Sequence, residues 1–159
     1  FIEPTQNIRS LGVKLKLSST KTIVKNKSII LIDDSLVRGT TCHKIVKMLY
    51  ESGAKEVHVR IGCPEIKYPD FYGVDMPTKN ELLAYKKSNE EMCRYIKAKS
   101  LKFLSLDGLY KALTSEKRNN NYPQFSDHYF TGDYPIKPSD NLKGLEIKQL
   151  SLLSGKSNF

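Results

Sequence analysis

Ser28-Ile29-Ile30-Leu31-Ile32-Asp33-Asp34-Ser35-Leu36-Val37-Arg38-Gly39-Thr40-Thr41 joins an apolar run, two adjacent carboxylates and a short Gly/Thr loop. Residues 29–32 show no period-2 alternation, which is the pattern of a strand covered on both faces in a parallel α/β sheet. In such sheets ligands bind beyond the carboxyl ends of the strands. Asp33 and Asp34 stand at that end, where they can accept hydrogen bonds from vicinal hydroxyls or hold a divalent cation with oxygen ligands. The loop then enters an apolar-periodic stretch (Ile45, Val46, Met48, Leu49), read as a helix. Free backbone N–H groups, the positive end of the helix dipole and the hydroxyls of Thr40 and Thr41 therefore converge where a phosphate dianion would sit.

Working outward, Lys25-Asn26-Lys27 is a turn before the strand, and Gly53 stops the helix just after Ser52. Val57, Val59 and Ile61 alternate in a second strand over residues 56–61, completing a β-α-β unit. Residues 62–77 hold three prolines and two glycines and form a long loop of the kind that is usually functional. Thr78-x-x-Glu81 and Ser88-x-x-Glu91 are capping boxes that start helices over 79–87 and 89–98. A short strand follows over 101–104, and Ser105 caps a helix ending near Leu113. Beyond it the chain turns polar, with Pro123, Pro135 and Pro138, and irregular structure or partial disorder is expected. Ahead of the motif, Val13, Leu15 and Leu17 alternate with lysines as a half-exposed strand or stiff arm.

With 159 residues and 39% hydrophobic side chains the chain is long enough for one core. No apolar run approaches the roughly 18 residues of a membrane span, so no membrane partner is expected. Cys42, Cys63 and Cys93 form no C-x-x-C arrangement, which reads as a reducing compartment and a cytoplasmic location. The net charge of +9 comes from lysines spread along the chain. No basic run and no nucleic-acid-binding motif accompanies it, so no nucleic acid is expected. His43, His58 and His128 have no carboxylate or cysteine at ligand spacing and read as surface or satisfied histidines.

The motif resembles the site for 5-phosphoribosyl 1-pyrophosphate (PRPP) in type I phosphoribosyltransferases, and its form Asp-Asp-Ser-Leu-Val-Arg-Gly-Thr-Thr is similar to that of the amidophosphoribosyltransferase family. Further stretches agree: Phe1-Ile2-Glu3-Pro4-Thr5-Gln6 with Arg9 and Gly12-Val13-Lys14-Leu15-Lys16-Leu17, Tyr68-Pro69-Asp70-Phe71-Tyr72-Gly73-Val74-Asp75-Met76-Pro77, and Phe130-Thr131-Gly132-Asp133-Tyr134-Pro135. The resemblance implies an α/β chain, a partial type I phosphoribosyltransferase fold with a parallel sheet, flanking helices and an irregular carboxyl-terminal tail. Residues 1–113 would be the carboxyl-terminal part of the transferase domain and 114–159 a polar extension. A chain that starts at Phe1 would be the later portion of a longer protein, its glutaminase domain absent from this chain.

The implied activity is conversion of PRPP, glutamine and water to 5-phosphoribosylamine, glutamate and pyrophosphate, the first step of de novo purine synthesis. The isolated piece would be inactive and would carry no certain catalytic residue. The implied PRPP-binding residues are Asp33, Asp34, Ser35, Leu36, Val37, Arg38, Gly39, Thr40 and Thr41, with Asp33 and Asp34 also holding Mg²⁺. Base-transferring relatives usually carry an acidic residue where Val37 stands, and an apolar side chain there fits ammonia as the incoming nucleophile. Ile2 and Leu82 match positions lining the family's ammonia passage, and each is equally readable as a packing residue. Some members hold an iron-sulfur cluster through cysteines in the Tyr-Pro-x-Phe-Tyr-Gly and Phe-Thr-Gly segments. Here Asp70 and Ser126-Asp127-His128-Tyr129 occupy those stretches, so no cluster is expected. Purine nucleotides as feedback inhibitors and a homo-oligomeric full-length protein are further implications. Another type I phosphoribosyltransferase, a PRPP-sensing regulator and a basic interaction module stay open beside this reading.

Overall fold

The protein is described here as a computed structural model covering residues 21–74 and 78–136. The arm through Val13, Leu15 and Leu17, the passage residue Ile2 and residues 137–159 lie outside the described residues. A single turn of helix, α1 (Lys21–Val24), precedes strand β1 (Ser28–Asp33). Helix α2 (Thr40–Glu51) and strand β2 (Glu56–Ile61) follow. After the long loop come a 3₁₀ turn (Lys79–Glu81), α3 (Leu83–Lys86), α4 (Asn89–Ile96), β3 (Ser100–Phe103), α5 (Leu106–Thr114) and α6 (His128–Thr131).

The three strands form one parallel sheet in the order β1-β2-β3. Pairing of Ile29 with Val57, Leu31 with Val59 and Asp33 with Ile61 sets these residues on one face. Cys42, Val46 and Leu49 of α2 and Met92 and Ile96 of α4 join that face in one buried cluster with Val57, Val59, Ile61 and Leu101. Each such side chain contributes about 1.5–3 kcal/mol by leaving water. Asp33 thus ends a strand on the apolar side of the sheet.

The other face differs from the two-sided cover that the apolar run of β1 suggests. Ile30 and Ile32 are 64% and 76% exposed, beside His58 and Arg60 in register. Among the described residues no element covers them, because both helices that cross the sheet pack on the opposite face.

The first capping box is formed, with Thr78 and Glu81 bonded reciprocally, yet it does not start the continuous helix expected over 79–87. Leu82 is extended (φ −71°, ψ 118°) and fully buried. Its burial breaks the helix, and the N–H of Leu83 turns to the carbonyl of Val37 instead. The second box works as expected: Ser88 caps α4, which ends at Lys97 in the left-handed region.

From Ser115 to Ile136 the chain is irregular apart from α6, yet it is anchored rather than loose. Asp127 and His128 are buried. Asp127 accepts hydrogen bonds from Tyr110 (2.8 Å) and Arg118 (2.6 Å), and Arg118 also reaches Asp133 (2.7 Å). His128 Nε2 lies 2.8 Å from Asp70 Oδ1, and Tyr134 donates to the carbonyl of Pro69. The stretch is therefore tied to the Tyr68-to-Val74 loop by polar contacts, which composition alone does not reveal.

Candidate functional site

The carboxyl end of β1 opens into a cleft of about 620 Å³ lined by Asp33, Asp34, Ser35, Leu36, Val37, Arg38, Gly39, Thr40 and Thr41, with Leu31, Ile32, Cys42 and Ile45 completing its wall. All nine motif residues share this one cavity, and Leu82 lies outside its lining. Parallel strands that end together at a helix start produce such a crevice.

The acidic end is braced by its own backbone. Asp33 Oδ1 accepts from the N–H of Asp34 (3.1 Å), and Asp34 Oδ1 accepts from the N–H of Ser35 (2.8 Å). The N–H of Gly62, just past β2, donates to the carbonyl of Asp33 (2.8 Å). Burial pushes the Asp33 carboxyl above the ordinary carboxylate value; the N–H of Asp34 opposes this, and the negative charge of Asp34 adds to the rise. Two adjacent carboxylates, one partly desolvated, favour a cation between them and a ligand.

The opposite wall is the start of α2. Gly39 is its N-cap, left-handed at φ 74°, ψ −8°, and no side chain caps the helix. The first-turn N–H groups and the dipole's positive end therefore meet the cleft, a geometry that takes an anion. An added Cβ on Gly39 would stand 2.6 Å from Leu83 Cδ2 and 3.1 Å from Tyr95. Glycine is required here by the loop's own backbone and backing, in addition to any ligand approach.

Behind the loop lie residues that the motif did not flag. Leu83 N–H donates to Val37 O (2.9 Å), Arg38 Nε to Glu81 Oε1 (3.1 Å), and His43 Nδ1 meets Tyr95 O (2.8 Å). Leu36 is 2% exposed and anchors the loop in the core. Glu81 was legible only as a capping-box member, because its partner Arg38 lies 43 positions earlier in sequence.

Cys42, on the cleft wall, has its thiol pushed up to about 12 by burial and then by the charge of Asp33. Burial likewise takes Cys63 up to about 11, with Asp34 adding to it. Neither is a thiolate nucleophile at neutral pH. Among the described residues no group of three or more His, Cys, Asp or Glu is arranged to hold a metal. A cation at Asp33 and Asp34 would need further oxygens from a ligand or water, as suits Mg²⁺.

The stretches where cysteines hold a cluster in some amidophosphoribosyltransferases do come together. Asp70 Oδ2 accepts from the N–H of Tyr72 (2.9 Å) and of Val74 (2.7 Å). Its Oδ1 meets His128, whose Nδ1 lies 3.1 Å from Ser126 Oγ. Burial alone would raise the Asp70 carboxyl, but these bonds outweigh it and hold it below the ordinary value. His128 and Asp70 have side chains 1% and 0% exposed. Hard oxygen donors that bond one another do not fit a cluster held by thiolates.

No family model matches the chain. An amidophosphoribosyltransferase of Rhizobium etli is 52% identical over 155 residues, 97% of this chain and 31% of the relative. One of Staphylococcus aureus is 52% identical over 163 residues, covering 100% of this chain and 33% of the relative. Over its whole length this segment is similar to part of the amidophosphoribosyltransferases. The chain spans about a third of the length of these curated relatives. Among solved structures, a glutamine PRPP amidotransferase of B. subtilis complexed with ADP and GMP superposes with a TM-score of 0.70 at 45% identity, over 85% of this chain and 30% of that one. The parallel three-stranded sheet with flanking helices thus matches the phosphoribosyltransferase-type fold of that structure.

Proposed function

We propose that this chain is the PRPP-binding part of an enzyme that transfers ammonia from glutamine to PRPP, yielding 5-phosphoribosylamine, glutamate and pyrophosphate and opening purine synthesis. One observation carries the reading: a braced carboxylate pair and an uncapped helix start face each other across a single cleft, on a chain 52% identical to amidophosphoribosyltransferases. Loss of pyrophosphate from C1 of PRPP passes through a loose, oxocarbenium-like state, so rate comes from holding both ends of the substrate still. The first-turn N–H groups of α2 with Thr40 and Thr41 hold the 5-phosphate. Asp33 and Asp34 accept from the ribose hydroxyls and would hold Mg²⁺, whose charge, when bound, offsets that of the leaving pyrophosphate. Val37 offers no proton acceptor, which suits ammonia.

Ile2 and Leu82 belong to the ammonia passage; the complete burial of Leu82 supports an apolar wall. No iron-sulfur cluster is bound, given the oxygen chemistry at Asp70, Ser126 and Tyr129. Purine nucleotides act as feedback inhibitors, in keeping with the ADP and GMP of the B. subtilis structure. The full-length protein is a cytoplasmic homo-oligomer with a glutaminase domain, residues 1–113 completing its transferase domain and 114–159 extending it.

The test is pyrophosphate release from PRPP by the full-length protein with Mg²⁺, with glutamine and then with ammonia as nitrogen donor. Release with both donors is expected, together with PRPP binding that a duplex oligonucleotide does not displace. Oligonucleotide binding without PRPP turnover would overturn the assignment.

A further inference from the structure

Three consecutive residues, Glu81, Leu82 and Leu83, run behind the loop that enters the cleft and touch it at Val37, Arg38 and Gly39. Leu83 ties its N–H to the Val37 carbonyl at 2.9 Å and sets its Cδ2 where a side chain on Gly39 would go. Those contacts fix the loop's backbone. Glu81 acts on the one long side chain of the loop, since its Oε1 accepts from Arg38 Nε at 3.1 Å.

Glu81 is itself held in place. Its Oε2 accepts from the backbone N–H (3.3 Å) and the hydroxyl (3.2 Å) of Thr78, so both carboxylate oxygens are engaged on different partners. Partial burial would raise its carboxyl, yet the bonds from Arg38 and Thr78 prevail and hold it below the ordinary carboxylate value. The pair is open to solvent, with side chains 38% and 49% exposed, and pairs of that kind contribute little to stability. Its effect is geometric. A guanidinium gripped by its Nε edge has its direction set while its terminal N–H groups keep their donor capacity, and Arg38 lines the cleft.

We infer that Glu81 is a positioning residue for anion binding, acting through Arg38 to fix where that guanidinium stands at the mouth of the phosphate cleft. The inference rests on the reading of the cleft as a PRPP site. It makes Glu81 part of the apparatus for the charged end of the substrate, with no contact of its own to the reacting atoms.

The experiment is a double-mutant cycle on the full-length enzyme, with KM for PRPP, KM for glutamine, kcat and thermal midpoint measured for the wild type, E81A, E81Q, R38A and R38A/E81A. E81A should raise KM for PRPP by about tenfold, the size of a typical coupling between contacting charged groups. KM for glutamine, kcat and the midpoint should barely move. E81Q, whose amide oxygen can still accept from Nε, should recover much of the loss. In the R38A background the Glu81 substitution should add nothing. An unchanged KM for PRPP in E81A, or a full additional loss in R38A/E81A, would overturn the positioning role. A wild type that consumes no PRPP would instead overturn the reading of the cleft on which the inference rests.

Discussion

The chain carries two groups of carboxylates that its fold treats in opposite ways. Among the described residues, Asp33 and Asp34 stand at a strand end and accept only from their sequence neighbours, the N–H of Asp34 and the N–H and hydroxyl of Ser35, and burial raises Asp33. Asp70 and Asp127 lie in the region after β2 and β3, each surrounded by donors. For Asp127 burial also acts upward, but Arg118 and Tyr110 more than offset it and hold the carboxyl low. The second pair has spent its acceptor capacity on the protein. The first pair keeps it for a ligand, at a cost in stability, which is how binding sites commonly differ from structural polar clusters.

The largest test of this contrast is Asp33→Asn with Asp34→Asn in the full-length enzyme. Two groups each worth about 100- to 1,000-fold should together remove at least about 10,000-fold of phosphoribosyl transfer, while chemical unfolding shows stability unchanged or slightly raised. Retained transfer would erase the functional half of the comparison. The mirror image is Asp127→Ala, which leaves the buried Tyr110 hydroxyl without its acceptor and takes from the largely buried Arg118 guanidinium one of its two carboxylate partners, Asp133 remaining. A loss of about 1–3 kcal/mol in unfolding free energy is expected, with PRPP affinity nearly intact in the variant that still folds in the cold. A mild loss would mean that water replaces the carboxylate.

Gly39→Ala sits between the two regimes, because the residue serves the cleft and is pressed from behind by Leu83 and Tyr95. Strain at a positive φ of 74° should cost about 1–3 kcal/mol of stability, and calorimetry should show weaker PRPP binding as well. Weaker binding with unchanged stability would return the glycine to a purely ligand-facing role.

The smallest effect is the response to acid. Asp70 and Asp127 have folded pKa values below their ordinary 3.8. Their contribution is therefore complete above about pH 4 and drains away as the pH falls through the depressed values. Asp33 runs the other way. Its folded carboxyl binds the proton more tightly than the unfolded chain does, so ionising it costs stability as the pH rises from 3.8 through the raised value. Urea midpoints between about pH 3 and pH 5 should fall with acid more steeply in Asp33→Asn than in the wild type, and less steeply in Asp127→Asn. Parallel curves would show that the two groups do not differ in proton affinity between the folded and unfolded states.

Much of the cleft was legible in sequence because it is local. The apolar run, the Asp33-Asp34 pair and the Gly-Thr-Thr turn are contiguous, and hydrogen bonds between adjacent residues need only a strand followed by a helix. The capping box at Ser88, the stop at Gly53 and the alternation of β2 are equally short-range. Where sequence reading fell short, a distant contact had won over a local signal. The box at Thr78 promised a helix, yet burying Leu82 and giving the Leu83 N–H to Val37 broke it into a 3₁₀ turn and a short helix. The histidine at 128 showed no carboxylate at a recognisable spacing, since Asp70 lies 58 positions away.

The order of residues by itself determined that one strand, one acidic pair and one helix start converge on a single point, for these features are bonded in succession and only a few backbone angles separate them. Tertiary structure alone decided that Glu81 grips Arg38, that Asp70 meets His128 and that Asp127 takes Arg118. Such pairs exist only after the chain has met the entropy cost of closing long loops through burial elsewhere, and nothing in the spacing of the partners encodes that outcome.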